Sequence, residues 1–240
     1  MRQQPTSEAA SLRSEDGGQP PYLYPDYVAT RLRAPKKPLV ILLSTLSDTT
    51  GPAFGRDPVG ELDNDLTRQH AGEPLGERII VTGRVLDADG RPVRGSLIEI
   101  WQANAAGRYT HHLDRHSAPL DPNFSGAGRC LTDNEGRYRF VTVKPGAYPW
   151  KNHHNAWRPA HIHLSLFGSS FRSRLITQMY FPGDPLFGQD PIFQSVRDPE
   201  ARRRMIATFD LETTEPEWAL GYKFDIIVEG RAATPMEDRR

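Results

Sequence analysis

Trp157-Arg158-Pro159-Ala160-His161-Ile162-His163-Leu164 is the stretch on which the reading of this chain turns. In an extended strand successive side chains point to opposite faces, so His161 and His163 share one face while Ile162, Leu164 and Leu166 share the other. One face is therefore built for a core, and the opposite face offers two imidazoles at a spacing that needs no unusual backbone. Histidine is the commonest metal ligand. An isolated His-X-His pair is nevertheless more often two hydrogen-bonded strand histidines than a metal site, so the flanking sequence has to decide.

Outward from that strand, turn chemistry divides the chain into short extended runs. Strands are expected over 79–86, 97–101, 138–143, 161–167, 175–181 and 222–228, with a further short one over 39–43. Asp87-Ala88-Asp89-Gly90, Thr132-Asp133-Asn134-Glu135-Gly136 and Lys144-Pro145-Gly146 supply breaks between them. Asp198-Pro199-Glu200 reads as an N-cap, a proline in the first turn and an early acid, which predicts one short helix ending near residue 206. About seven strands and a single short helix define an all-β protein, an antiparallel β-sandwich with long loops. The 21 prolines and 20 glycines agree with ordered loops rather than a helical bundle.

Residues 1–20 are too polar to bury a core and are expected to form a mobile tail. Residues 21–76 are expected to form an extended arm and loops docking on the core or on a partner chain; Pro21-Tyr22-Leu23-Tyr24-Pro25-Asp26-Tyr27 sets tyrosines among prolines there. Residues 77–240 would then be the sandwich catalytic domain. Charges balance at 30 basic and 30 acidic residues, which removes the electrostatic case for nucleic acid or an anionic membrane. Cys130, the single cysteine, excludes an intrachain disulfide and a thiolate metal cluster. The sequence shows neither a secretory leader pattern nor an apolar run long enough to span a bilayer, so a cytoplasmic protein is expected.

Tyr109 and Tyr148 each stand where a strand gives way to a Gly or Pro loop, a position where scaffolds present functional groups. Both are expected in the sheet that carries His161 and His163, and Arg158 lies just before the first histidine. The motifs Trp101-Gln102-Ala103-Asn104 with Gly107-Arg108-Tyr109, Asp121-Pro122-Asn123-Phe124, Lys144-Pro145-Gly146 with Tyr148-Pro149-Trp150, and the opening stretch, in that order, resemble the intradiol ring-cleaving dioxygenases. Within that family the pattern is most similar to the iron-bearing β subunits of members that act on 3,4-dihydroxybenzoate.

The resemblance implies a mononuclear non-haem Fe(III) held by Tyr109, Tyr148, His161 and His163, with a solvent hydroxide as fifth ligand. Two hard phenolates favour ferric over ferrous iron and disfavour zinc. It further implies that a chelating catecholate displaces the hydroxide and Tyr148, each taking one proton from the substrate, while Tyr109 and the histidines stay. Arg158 would stabilise negative charge developing on the ring, and Gln178 would bond with this arginine. Trp150 and Ile192 would wall the ring pocket, and Tyr27 would meet the substrate carboxylate. Lys151 departs from the arginine of related sequences, which puts a bidentate contact there in doubt. The implied reaction cleaves protocatechuate with O2 between its hydroxylated carbons to 3-carboxy-cis,cis-muconate. The implied partner is an α subunit of the same fold, forming α–β pairs in a higher oligomer. Two alternatives are a catechol or hydroxyquinol dioxygenase and a non-catalytic sandwich subunit serving assembly. The polar, Pro-rich N-terminal region counts against the first, and the intact set of four candidate ligands against the second.

Overall fold

Strand β1 (Arg78–Leu86) carries Ile79, Ile80, Val81 and Val85 and pairs antiparallel along its length with β4 (Arg137–Val143). Its other edge lies parallel first to β10 (Leu220–Lys223) and then to β11 (Ile226–Ile227), and β9 (Thr208–Phe209) closes this sheet against β10. The second sheet is wholly antiparallel, in the order β3 (Ala127–Leu131), β2 (Leu97–Trp101), β7 (His161–Phe167) and β8 (Leu175–Tyr180). A two-stranded ribbon of β5 (Tyr148–Pro149) and β6 (Trp157–Arg158) stands apart from both. The computed structural model describes residues 18–38, 40, 58–151, 154, 157–167 and 175–237. The strand expected over 39–43 and most of the expected tail fall outside them.

The register explains how the sheets meet. Ile98 faces Leu166, Ile100 faces Leu164, and on the next strand Ile162 faces Met179 while Leu166 faces Leu175. Directly opposed residues project to the same side of a sheet, so these apolar side chains form one wall. Ile79, Val81, Val85, Phe140 and Tyr222 of the first sheet pack against that wall in one buried cluster. This is the sandwich. Ile162 is fully buried at its centre, and truncating such a residue to alanine costs about 2–5 kcal/mol.

Besides the short strands β5, β6 and β9, which were not expected, three local features differ from the expectation. The strand expected over 222–228 is two, because the backbone breaks step with β1 at Phe224 and Asp225. Phe224 N–H donates to the Thr82 carbonyl, and the Asp225 side chain, in place of a backbone carbonyl, accepts from Arg84 N–H. Gly83 permits this close approach, since a Cβ there would sit 1.9 Å from the Phe224 carbonyl oxygen. Strand β3 was not foreseen, for of its five residues only Cys130 is fully buried and no alternation is visible. The expected helix, α3 (Pro199–Arg203), is capped by Asp198 as predicted but stops short of 206, and among the described residues two further short helices, α1 (Thr30–Arg33) and α2 (Pro191–Ser195), accompany it.

The arm packs on its own chain. The Tyr27 ring is buried 5.4 Å from the Trp150 ring, and the Arg33 guanidinium lies over its other side at 4.8 Å. Leu66 enters the main core while its N–H donates to the Val141 carbonyl. Among the described residues no helix is long and apolar enough to cross a membrane.

Candidate metal centre

Two loops bring the tyrosines together. After β2, the Asn104 side chain accepts from the N–H groups of Ala106 and Arg108, closing a tight turn completed by Gly107 at φ +76°. After β4, Gly146 N–H donates to the Asn104 carbonyl, and an added Cβ on Gly146 would sit 2.4 Å from the Ala105 carbonyl oxygen. The Gln102 amide ties the strand ends, donating to the Val143 carbonyl and accepting from the Thr142 hydroxyl. The backbones therefore touch, and Tyr109 meets Tyr148 edge to face with ring centroids 5.3 Å apart. Neither tyrosine lies in the histidine sheet, contrary to expectation. Tyr109 belongs to the loop, held by an Asp114 carboxylate on its N–H, and Tyr148 to the β5–β6 ribbon.

His161 and His163 project from β7 on the face opposite the core. The Tyr148 hydroxyl lies 3.2 Å from His161 Nε2, the two imidazole centroids are 4.9 Å apart, and His163 stacks on Trp101 at 4.8 Å. His161 Nδ1 is 2.7 Å from the Pro159 carbonyl, and His163 Nδ1 is 2.9 Å from the Glu237 carboxylate. Both partners can only accept, so each Nδ1 carries a proton and Nε2 is the nitrogen available as a ligand. Burial, with Arg158 and His163 adding to it, holds His161 well below the usual imidazole range, in its neutral form. Burial would raise the Glu237 carboxyl, but His163 and then Arg158 outweigh it and hold it at about 2.

Arg158 lies beneath the cluster. Register in the ribbon sets it opposite Tyr148, and its guanidinium reaches the Tyr148 hydroxyl at 3.3 Å and His161 Nε2 at 3.0 Å. It also donates to Gln178 Oε1 at 2.5 Å, to the Tyr180 hydroxyl at 3.0 Å and to Asp190 at 2.8 Å. Burial disfavours the cation, yet Asp190 and the surrounding oxygens more than offset it, so Arg158 stays charged. Asp190 and Tyr180 were missed in the sequence. Asp190-Pro191 has the same cap-then-proline form as Asp198-Pro199 and could have flagged α2, but nothing local shows that its carboxylate also faces Arg158.

A cavity of about 530 Å³ opens beside the tyrosines, lined by Tyr109, Tyr148, Trp150, Lys151, Arg115 and His116 among others. Gln178 is buried beneath the cluster, paired across the ladder with His163. Ile192 is buried in the first turn of α2 and does not line this cavity. His111 and His112 lie tilted against each other, ring centroids 4.5 Å apart, in an exposed loop. His153 lies outside the described residues.

The donors suit a hard trivalent cation. Among the described residues no group of three or more His, Cys, Asp and Glu side chains could hold a metal; two phenols complete the set. The Tyr109 hydroxyl is buried with no hydrogen bond of good geometry among the described residues, and burial, with Tyr148 nearby, pushes its pKa well above 10. A buried orphan phenol is costly, and a metal cation ligated by its phenolate would satisfy it.

The fold and this cluster are those expected of a ring-cleaving dioxygenase, and the comparisons agree. Residues 49–230 match the family described as Dioxygenase, and residues 12–45 the one described as Protocatechuate 3,4-dioxygenase beta subunit N terminal. The chain belongs to the intradiol dioxygenase family. Over 221 residues, 91% of this chain and 93% of the relative, it is 62% identical to the Protocatechuate 3,4-dioxygenase beta chain of Burkholderia cepacia. It is 30% identical over 84% of its length to the Protocatechuate 3,4-dioxygenase alpha chain of Pseudomonas putida, spanning 99% of that chain. Among solved structures, 3-chlorocatechol 1,2-dioxygenase from Rhodococcus opacus superposes with a TM-score of 0.54 at 25% identity, over 74% of this chain and 70% of that one.

Proposed function

We propose that the chain is the iron-holding β chain of a protocatechuate 3,4-dioxygenase, cleaving 3,4-dihydroxybenzoate with O2 between its hydroxylated carbons to 3-carboxy-cis,cis-muconate. The observation that carries this reading is the convergence of Tyr109, Tyr148, His161 and His163 on one point beside a cavity, with both imidazoles oriented Nε2-first. The 62% identity over nearly the whole chain supports the choice of substrate. An α chain of similar fold is the partner, and the two would assemble as α–β pairs in a higher oligomer. The lone buried thiol, Cys130, fits a cytoplasmic setting.

Bound Fe(III) would ionise the phenols that hold it, take the catecholate as a chelating ligand and render its ring reactive toward O2. The two tyrosines then have different parts. The Tyr109 hydroxyl has no cationic hydrogen-bond partner among the described residues, so its phenolate would stay with the metal. Tyr148 has one, since its hydroxyl lies within reach of Arg158. It can leave the metal position, take a substrate proton and still be satisfied, which makes it the base of the binding step. Arg158, locked by Asp190, Gln178 and Tyr180, is a preorganised cation beneath the ring position and stabilises charge that develops there. Trp150 offers a flat wall, and Tyr27 packs behind it from the arm. A cavity of about 530 Å³ is within the range that encloses small ligands.

The test is the visible absorption of the protein co-expressed with an α chain, before and after anaerobic addition of protocatechuate. A broad phenolate-to-iron band that moves to longer wavelength on addition is expected. A band that ignores protocatechuate and answers catechol would change the substrate, and a colourless, iron-free complex would overturn the reading.

A further inference from the structure

The two imidazoles are oriented by different means. His161 is held by Pro159, its own backbone two residues away. His163 is held by Glu237, which approaches from the far end of the chain. The C-terminal segment is fastened to bring it there. Thr234 exchanges two hydrogen bonds with Ile227, its N–H donating and its hydroxyl accepting. The Thr177 hydroxyl donates to the Pro235 carbonyl at 2.7 Å, and Glu237 N–H donates to Ile176 at 2.8 Å. Gln19, from the opposite terminus, clamps the segment twice, accepting from Met236 N–H and donating to the Thr234 carbonyl. The Glu237 side chain lies in a small cavity roofed by Tyr24, Tyr27 and Arg33 of the arm.

We propose that Glu237 is a positioning residue for the metal centre: by accepting the Nδ1 proton of His163 it holds that imidazole in the tautomer that presents Nε2 as ligand, and so makes metal retention depend on the docking of both chain ends. The proposal rests on His163 being an iron ligand. A carboxylate behind a ligating imidazole fixes its ring plane and raises its basicity, and loss of such a partner typically lowers metal affinity 10–100-fold. Trp101 stacks on the ring at an interplanar angle of 6° but supplies no hydrogen bond that could select the tautomer. That leaves Glu237 as the selecting group among the described residues.

The experiment measures the rate at which iron passes from the α–β complex to excess EDTA, followed by decay of the visible band. Glu237→Ala should lose iron about 10–100-fold faster, whereas Glu237→Gln, whose amide oxygen still accepts from Nδ1–H, should stay within a few-fold of the unaltered complex. An unchanged rate in Glu237→Ala would overturn the proposal, as would equal losses in Ala and Gln variants, because the accepting oxygen would then be irrelevant. Gln19→Ala, remote from the ligands, covers the case of a Glu237→Ala chain that does not fold: faster iron loss with an unaltered circular dichroism spectrum is expected, and an unchanged rate sinks the link to the chain ends. His163→Ala separates the two levels. If it keeps its iron, the ligand reading falls and this proposal with it; if it loses iron while Glu237→Ala retains it, only the role of Glu237 falls.

Discussion

A guanidinium that is 1% exposed must be fully partnered to remain charged, and Arg158 divides its donors between a counter-ion and the reaction site. The buried pair with Asp190 is the structural half. Removing one member leaves an uncompensated buried charge, so Asp190→Ala should lower unfolding stability by about 3–5 kcal/mol in a urea titration, with a further contribution from the lost cap on α2. The other half is functional, and Arg158→Lys isolates it by keeping the charge while losing the planar fork. Iron content should be unchanged and turnover should fall by about 10²–10³-fold, the range for losing a preorganised donor. Unchanged turnover would leave Arg158 a purely structural ion. Tyr148→Phe, measured by stopped-flow, should slow substrate association more than it depletes iron, since three donors remain; complete loss of iron would contradict its part as the leaving ligand.

At the scale of elements, the site depends on two loops whose backbones touch. Gly146→Ala would drive a methyl group to within 2.4 Å of the Ala105 carbonyl, where backbone rather than a movable side chain has to yield. Overpacking of this kind costs about 1–3 kcal/mol, and because it parts Tyr109 from Tyr148 the visible band should weaken along with the melting temperature. A variant that melts early but keeps full colour would separate loop packing from ligand placement. The alternation around His161 and His163 was legible because a strand imposes a period of two, and the register of β2, β7 and β8 followed that pattern. Tyr109 and Tyr148 stood out by their places at the ends of strands, but their pairing with the histidines came from motif resemblance. Their meeting depends on long-range backbone contacts, and the expectation that they shared the histidine sheet failed for that reason. The break between β10 and β11 depends on Gly83, on a paired strand distant in sequence. Asp190 and Glu237 escaped notice because a lone acid in a loop or tail carries no local sign of the partner it will meet.

At the scale of the whole molecule, the interior between the sheets is dry enough to suppress ionisation. Burial pushes the Cys130 thiol up to about 12 and the Tyr138 phenol well above 10. A folded-state pKa above the unfolded one means that the stability contribution is complete below the unfolded value, about 8.5 for cysteine, and is lost as the pH rises toward the folded one. Raising the pH from 7 to 10 should therefore cost about 2 kcal/mol through Cys130 alone, and Cys130→Val should flatten that dependence in denaturant titrations. At neutral pH the thiol should resist alkylating reagents until the protein unfolds.

Strand β1 opens the sandwich, yet both strands parallel to it, β10 and β11, come from the last stretch of the chain. During synthesis that edge is therefore bare while nearly everything else needed for the fold has already emerged. Sheet pairing across such a separation is slow, and an unpaired apolar edge invites the edges of other chains. A chain cut short after residue 209 would be not a weaker enzyme but an adhesive one, so the segment that supplies β10 and β11 governs solubility as much as chemistry.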